Sequence, residues 1–534
     1  MSTPTLNLAD LWELVAPVVA DRTALIVDDH VSTYGDLETR ANRLADRLAG
    51  EGIGPGDHVG CYLYNGPEYI ETMLAAWKLR AVPINVNYRY VADELRYLCR
   101  DAELKAIVHD VEFGERLDAV RGELPDLRLA LAAGAGGTYE AALAEGSPEL
   151  REIQRSCDDR YIVYTGGTTG MPKGVVWRHE DAFYACFGGG DWTRLDPVKE
   201  PEQVLDRLQP ESAQAVFFAI APLMHGAAQW TTYAMFLNGG INVLTASRPS
   251  TDYAKVWQLI TDHKVNVVTI IGDAVARPLI DEYVANPGKY DASSVFSFGS
   301  GAVVFSEAGK AELQALFPNV LVHDGYGASE TGAQARNLGG GRFESMDAET
   351  AVIDPASLEV VQPGSGRQGR VARRGHIPLG YHNDPVKTAE TFVEIDGERW
   401  VLTGDEATVL EDGTIQLFGR GSMCINSGGE KIFPEEVEGA IVSHPEVYDV
   451  LVVGVDDQRW GQRVAAVVAP VAGASLSAED LQAHCRDKLA GYKVPRSWVF
   501  VDKVQRSPSG KADYAWAKKQ AAAQPRGAGA PDPG

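Results

Sequence analysis

Only six cysteines occur in 534 residues, at 61, 99, 157, 186, 424 and 485, and no two of them form a CxxC pair. Such scatter supplies neither a disulfide framework nor a zinc-ligand set, and it fits reduced thiols in a cytosol. Long apolar runs are also missing. The longest, Val216-Phe217-Phe218-Ala219-Ile220-Ala221-Pro222-Leu223-Met224, falls far short of the roughly 20 residues that span a bilayer, so no transmembrane helix is expected. The stretch MSTPTLNLADLWELV has no basic segment ahead of an apolar core and does not read as a secretory signal. A cytoplasmic location is the expectation. Basic residues are scarce: Lys+Arg 49 against Asp+Glu 74 leaves a net charge of −25, which argues against nucleic acid and anionic membranes as main partners. An anionic ligand must therefore find a locally basic site. Three motif-bearing reaction classes lose their usual support too, since no GxGxxG follows a strand and neither GxSxG nor HExxH occurs.

What is present is an ordinary globular composition, 45% apolar and 23% charged, in a chain too long for one core. Strand-like and helix-like patterns alternate from TALIVDD through TYGDLETRANRLADRLAG, HVGCYLY and PEYIETMLAAWKL. In the first helix Leu37, Ala41, Leu44 and Leu48 recur at helical spacing, and Thr33 with Asp36 forms a capping-box pattern. The alternation returns at VNVVTIIG and SVFSFGSGAVV. The expected fold class is therefore α/β, with a large N-terminal domain of several subdomains over residues 1–420. After GRGSM the elements shorten, predicting a small mobile α+β domain over 421–520 and a disordered Pro/Gly/Ala-rich tail over 521–534.

The stretch YTGGTTGMPKGVVW, 164–177, follows the apolar run Tyr161-Ile162-Val163-Tyr164. It is not a Walker loop, because Met171-Pro172 separate Gly170 from Lys173 and Gly174 stands where Ser or Thr is required. Clustered glycines let successive backbone N–H groups converge on phosphate oxygens, with Thr hydroxyls and a Lys adding donors. A flexible surface turn is the alternative that the loop alone leaves open.

TGGTTGMPKG resembles the phosphate-binding signature of the adenylate-forming superfamily of acyl-CoA synthetases, adenylation domains and luciferases. The resemblance continues in order through PLMHG, SGAVV, DGYGASETG, GYHNDPVKTAETF, WVLTGD, GRGSMCINSGGEKIFPEEVE and SPSGK. It implies activation of a carboxylic acid by ATP with Mg²⁺, giving acyl-AMP and pyrophosphate, then transfer to the thiol of CoA. Thr165, Gly166, Gly167, Thr168, Thr169, Gly170 and Lys173 would cradle the phosphates. Ser300, Gly301, Ala302, Asp324, Gly325, Tyr326, Gly327 and Ser329 would line the nucleotide site, with Asp405 and Arg420 on the ribose. Ser329 stands where the family usually has Thr, which keeps the hydroxyl. Thr168 and Glu330 would hold the metal. Lys511 would reach from the small domain to the developing charge on the α-phosphate, making Lys511, Glu330 and Lys173 the catalytic set. His225, Gly226, Gln229, Gly272 and Gly299 would line the acyl pocket, and Gly428, Gly429, Glu430 and Lys493 would meet CoA. The hinge is expected at Ser422, where many relatives carry Asp or Lys.

RGSMCINSGGEK, WRHED, GDAVARPL and the stretch from Gly491 to Gln520 resemble the bacterial subgroup that activates steroid side-chain and long-chain acids. The resemblance thus implies a bulky apolar acid. A carrier-protein phosphopantetheine as acceptor, and a non-catalytic ATP-binding homologue, stay open as alternatives, as does the oligomeric state, a homo-oligomer included.

Overall fold

The computed structural model describes residues 3–165, 171–246, 251–301, 305–339, 341–427, 430–457, 460–506 and 511–523. The first helix, Leu8–Val15, begins where the Asn7 side chain accepts from the Ala9 N–H, and it buries Leu8, Leu11, Trp12 and Val15. The next, Tyr34–Gly50, has the capping box foreseen in the sequence: the Asp36 N–H donates to Thr33 Oγ1 at 3.0 Å and the Thr33 N–H to Asp36 Oδ2 at 2.9 Å. Its inward row is Leu37, Ala41, Leu44 and Leu48, all fully buried.

Three sheets organise the described residues. The largest has a parallel body in which Thr23–Val27, Ile241–Leu244, Val216–Ala219, Val267–Ile270, Ser297–Ser300 and Leu321–Ala328 lie side by side in that order. Antiparallel strands then extend it through Gly332–Gly339, Arg342–Ser345, Ile415–Arg420, Glu398–Val409, Gly369–Arg373 and Thr350–Ile353. A seven-stranded sheet runs Gly380–Tyr381, Lys173–Arg178, Arg160–Thr165, Val82–Asn85, His58–Tyr62, Leu104–Asp110, Leu129–Ala133. One apolar core, from Leu6 to Val320, joins the faces of both sheets to the helices between them.

The third sheet, of five strands between Ile425 and Phe500, has a core on each face. Val450, Val452, Val464, Ala466 and Val468 meet Val437, Ile441, Leu481 and Cys485 on one side. Leu451, Val453, Ala465 and Val467 meet Ala517 and Ala521 on the other. Neighbours in strand Val447–Asp457 point to opposite faces, so its unbroken apolar run follows from cover on both sides. One boundary shifts. Helix Tyr514–Ala523 continues three residues past the expected start of the tail, because Ala517 and Ala521, four apart, are both buried against the sheet.

Candidate active site

The phosphate-loop candidate is carried by a hairpin. Arg160–Thr165 and Lys173–Arg178 pair antiparallel with Thr165 opposite Lys173, so a strand, not a helix, follows the loop. Gly166, Gly167, Thr168, Thr169 and Gly170 lie outside the described residues, and with them the Thr168 half of the expected metal pair. Lys173 Nζ lies 2.5 Å from Asp384 Oδ2. That ammonium, with the Lys387 N–H, holds the Asp384 carboxyl below the usual carboxylate range. Asp384 also caps helix Pro385–Thr391. Sequence reasoning quoted this stretch without assigning Asp384 a role; an Asp-Pro pair opening a helix is the signal that could have drawn attention to it.

The nucleotide-side residues gather where the large sheet changes from parallel to antiparallel. Strand Leu321–Ala328 turns through Ser329–Thr331 into Gly332–Gly339. The turn is so tight that a Cβ on Gly327 would stand 2.3 Å from the Gly332 carbonyl oxygen. Tyr326 donates from its hydroxyl to Asp405 Oδ2 at 2.6 Å. Asp405 is the cross-strand partner of Arg420, whose Nε lies 3.3 Å from Asp405 Oδ1. Trp177 donates from Nε1 to the Ser329 carbonyl at 3.0 Å and so ties the turn to the hairpin strand. Glu330 Oε1 accepts from the Tyr381 hydroxyl at 2.9 Å; Tyr381, too, had no role in the sequence reading.

Four other nucleotide-side candidates are committed elsewhere or open. The buried Ser300 hydroxyl accepts from the Gly272 N–H at 2.9 Å. Asp324 is buried with its carboxylate 3.3 Å from Lys310 Nζ, and burial pushes its pKa up. Gly301 and Gly325 keep open surroundings: a Cβ on Gly301 would meet no heavy atom within 4 Å, and one on Gly325 only the Ala335 carbonyl at 3.7 Å. Ala302 lies outside the described residues.

His225 heads helix Gly226–Leu237. Its segment is anchored to the seven-stranded sheet by Asn85, whose Nδ2 donates to the carbonyls of Met224 and Tyr164 at 2.7 and 2.8 Å. His225 Nε2 is buried without a hydrogen-bond partner among the described residues. Burial, aided by the nearby cations Lys511 and Arg89, lowers its pKa to about 3, so the imidazole is neutral at physiological pH. Gly272, at φ +49, opens helix Gly272–Ala285. A Cβ on Gly299 would come 3.2 Å from the His323 ring, and one on Gly226 3.0 Å from Trp230. Gln229, expected at the acyl pocket, is engaged with its protein neighbours. It is 4% exposed, accepts from the Tyr161 hydroxyl at 2.6 Å and donates to the Leu223 carbonyl at 2.8 Å. Its amide is spent in the core, because on this helix position 229 faces inward.

The small body contributes Lys511. Burial depresses its pKa, Arg420 adds to the effect, and Glu330 opposes it; His225 feels the same ammonium. The charge of this one lysine is thus felt with Arg420, Glu330 and His225, which come from three separate segments of the large body. Next to this point Gly419, at φ +128, meets the small body so closely that a Cβ would stand 2.4 Å from Glu435 Oε2. Burial pushes the Glu435 carboxyl up to about 7. Lys493 is held by Glu436 at 2.6 Å, and Glu430 is exposed at the start of its strand. Gly428, Gly429 and the Ser422 side chain lie outside the described residues.

Among the described residues no three His, Cys, Asp or Glu side chains form a metal-ligand group. Glu330 is suited to a shared site instead, with one oxygen oriented by Tyr381 and the other without a protein hydrogen bond among the described residues. Mg²⁺ is characteristically held by one or two carboxylates together with substrate phosphates and water.

Residues 13–381 match the AMP-binding enzyme family and residues 436–511 the AMP-binding enzyme C-terminal domain. The chain is 44% identical over 541 residues to the 3-oxocholest-4-en-26-oate–CoA ligase of Rhodococcus rhodochrous, covering 97% of each. It is 45% identical over 533 residues to the medium/long-chain-fatty-acid–CoA/3-oxocholest-4-en-26-oate–CoA ligase of Mycolicibacterium smegmatis, covering 96% of each. The fold matches that of the anthranilate CoA ligase AuaEII in complex with anthranoyl-AMP, with a TM-score of 0.82 at 23% identity over 96% of this chain and 97% of that one. By a match that spans most of its length and by these relatives, the chain belongs to the AMP-binding enzyme family.

Proposed function

We propose that this protein is an AMP-forming acyl-CoA synthetase acting on a bulky apolar carboxylic acid. The observation that carries the reading is the linked set Tyr326–Asp405–Arg420, with Lys511 near enough for Arg420 and Glu330 to act on its charge. In the first step a carboxylate oxygen attacks the α-phosphorus of ATP and pyrophosphate leaves. Lys511 stabilises the charge that builds there, Asp405 and Arg420 hold the ribose, and Lys173 exchanges Asp384 for phosphate. Glu330 would hold Mg²⁺, which would supply charge screening to the triphosphate. In the second step the CoA sulfur attacks the acyl carbon and AMP leaves. The neutral His225 imidazole presents no charge to an apolar acid. Residues 1–420 and 421–520 act as two bodies that change their mutual orientation between the steps.

The relatives named as ligases of 3-oxocholest-4-en-26-oate and of medium- and long-chain fatty acids support the choice of acid. The test is ATP–pyrophosphate exchange over acetate, benzoate, a long-chain fatty acid and a sterol side-chain acid, with CoA then added. Preference for acetate or benzoate would refute the bulky-acid reading. Exchange without thioester formation would point to a carrier-protein acceptor instead.

A further inference from the structure

Strand Val447–Asp457 of the small body starts with Val447 turned into its own core and Tyr448 turned out toward helix Gly272–Ala285 of the large body. On that helix Arg277 and Asp281, four apart, share a face. The Tyr448 hydroxyl donates to Asp281 Oδ2 at 3.2 Å, and the Arg277 guanidinium carbon lies 5.8 Å from the centre of the Tyr448 ring. Arg277 is the unusual partner. Its side chain is only 14% exposed, and Nε is buried with no hydrogen bond among the described residues. The nearest carboxylate, Asp273, is 3.9 Å away and already accepts from the Ser306 hydroxyl and N–H.

A guanidinium covered in this way loses water without a full set of replacements, and the face of an aromatic ring returns only part of the loss. When the small body moves off, water reaches Arg277 again. The contact is therefore weak on balance in both directions, as a joint that must both hold and release requires. It also sits on the body that carries Lys511, and it docks on the same helix that Gly272 opens.

We propose that Tyr448 is a positioning residue for acid activation: docked on Arg277 and Asp281, it holds the small body where Lys511 reaches its site, and it lets go before thioester formation. This rests on the two-step reaction proposed above. The test uses full-length Tyr448→Ala and Tyr448→Phe, assayed for ATP–pyrophosphate exchange and, separately, for transfer of a supplied acyl-adenylate to CoA. The alanine variant should lose about tenfold in the kcat of exchange, with KM for ATP unchanged and the transfer step not slowed. The phenylalanine variant, which keeps the ring over Arg277, should fall between. Equal losses in both steps, or no loss in either, would overturn the proposal. If the wild type exchanges with no acid, the reaction reading fails, and the latch is decided by deuterium uptake of 272–285. Faster uptake in Tyr448→Ala supports it; unchanged uptake overturns it.

Discussion

The proposed role of Lys511 confines one residue to a single step. Lys511 is the small body's contribution to a site otherwise built from the large body, where desolvation and then the Arg420 charge lower its pKa. Lys511→Ala is expected to abolish acyl-AMP formation yet still convert supplied acyl-AMP to acyl-CoA, which single-turnover assays of each step would show. Loss of both steps together would mean that the lysine serves the fold, or both reactions. At this scale the sequence was uneven. Tyr326, Glu330, Asp405, Arg420 and Lys511 were legible because each sits in a motif whose chemistry needs it, and the structure brings them together. The partners of Gln229 were not legible because a motif names a position on a helix and not the direction its side chain takes there. Tyr381 and Asp384 were passed over because what they do depends on Glu330 and Lys173, distant in the chain and adjacent only after folding.

Among the elements, the connection between strand Ile415–Arg420 and the small sheet is the pivot that the proposed two-step reaction needs. It passes through the short 3₁₀ turn Gly421–Met423, directly after the positive-φ Gly419 that Glu435 crowds. Ser422→Pro fixes one backbone angle in that turn. It is expected to preserve pyrophosphate release and to suppress thioester formation, read as acyl-AMP accumulating on the enzyme; normal turnover would place the pivot elsewhere. Helices and strands here were largely readable from the chain, since Thr33 and Asp36 announce a start and Leu37, Ala41, Leu44 and Leu48 a buried face. What periodicity could not supply was the approach of Gly419 to Glu435, which depends on how two separately folded bodies meet.

For the whole molecule, the two bodies carry buried titratable groups with opposite pH signatures. His179 in the large body is 0% exposed, accepts from the Leu8 N–H at Nδ1, and is pushed down to about 4 by burial. Its neutral form contributes fully above the unfolded value near 6.5, and that contribution is lost as pH falls toward 4, at up to about 1.4 kcal/mol per pH unit. Glu438 in the small body is pushed up to about 8 by burial, with Glu435 adding to the effect. Its neutral form contributes fully below the unfolded carboxyl value and is lost as pH rises through 8. Glu438→Gln should accordingly raise the unfolding temperature of the small body at pH 8 and leave it nearly unchanged at pH 4. His179→Asn should flatten the acid limb of large-body unfolding between pH 6.5 and 4. Calorimetry across that range distinguishes the two, and a parallel response of both transitions would contradict the assignment.

The pairing of strand Thr23–Val27 with Ile241–Leu244, reinforced by the Tyr34 hydroxyl donating to the Gly240 carbonyl 206 residues onward, also has a kinetic side. During synthesis the first strand, paired on one edge with His30–Thr33, emerges long before Ile241–Leu244, so its other edge and the amphipathic helices beside it wait uncovered. Closing so long a loop delays the nucleus of the large sheet, and the waiting edge is open to any other extended chain. Refolding from denaturant should therefore be slow and lose yield as protein concentration rises. Removing the first 33 residues should leave Ile241–Leu244 as a bare sheet edge that drives self-association, visible by light scattering.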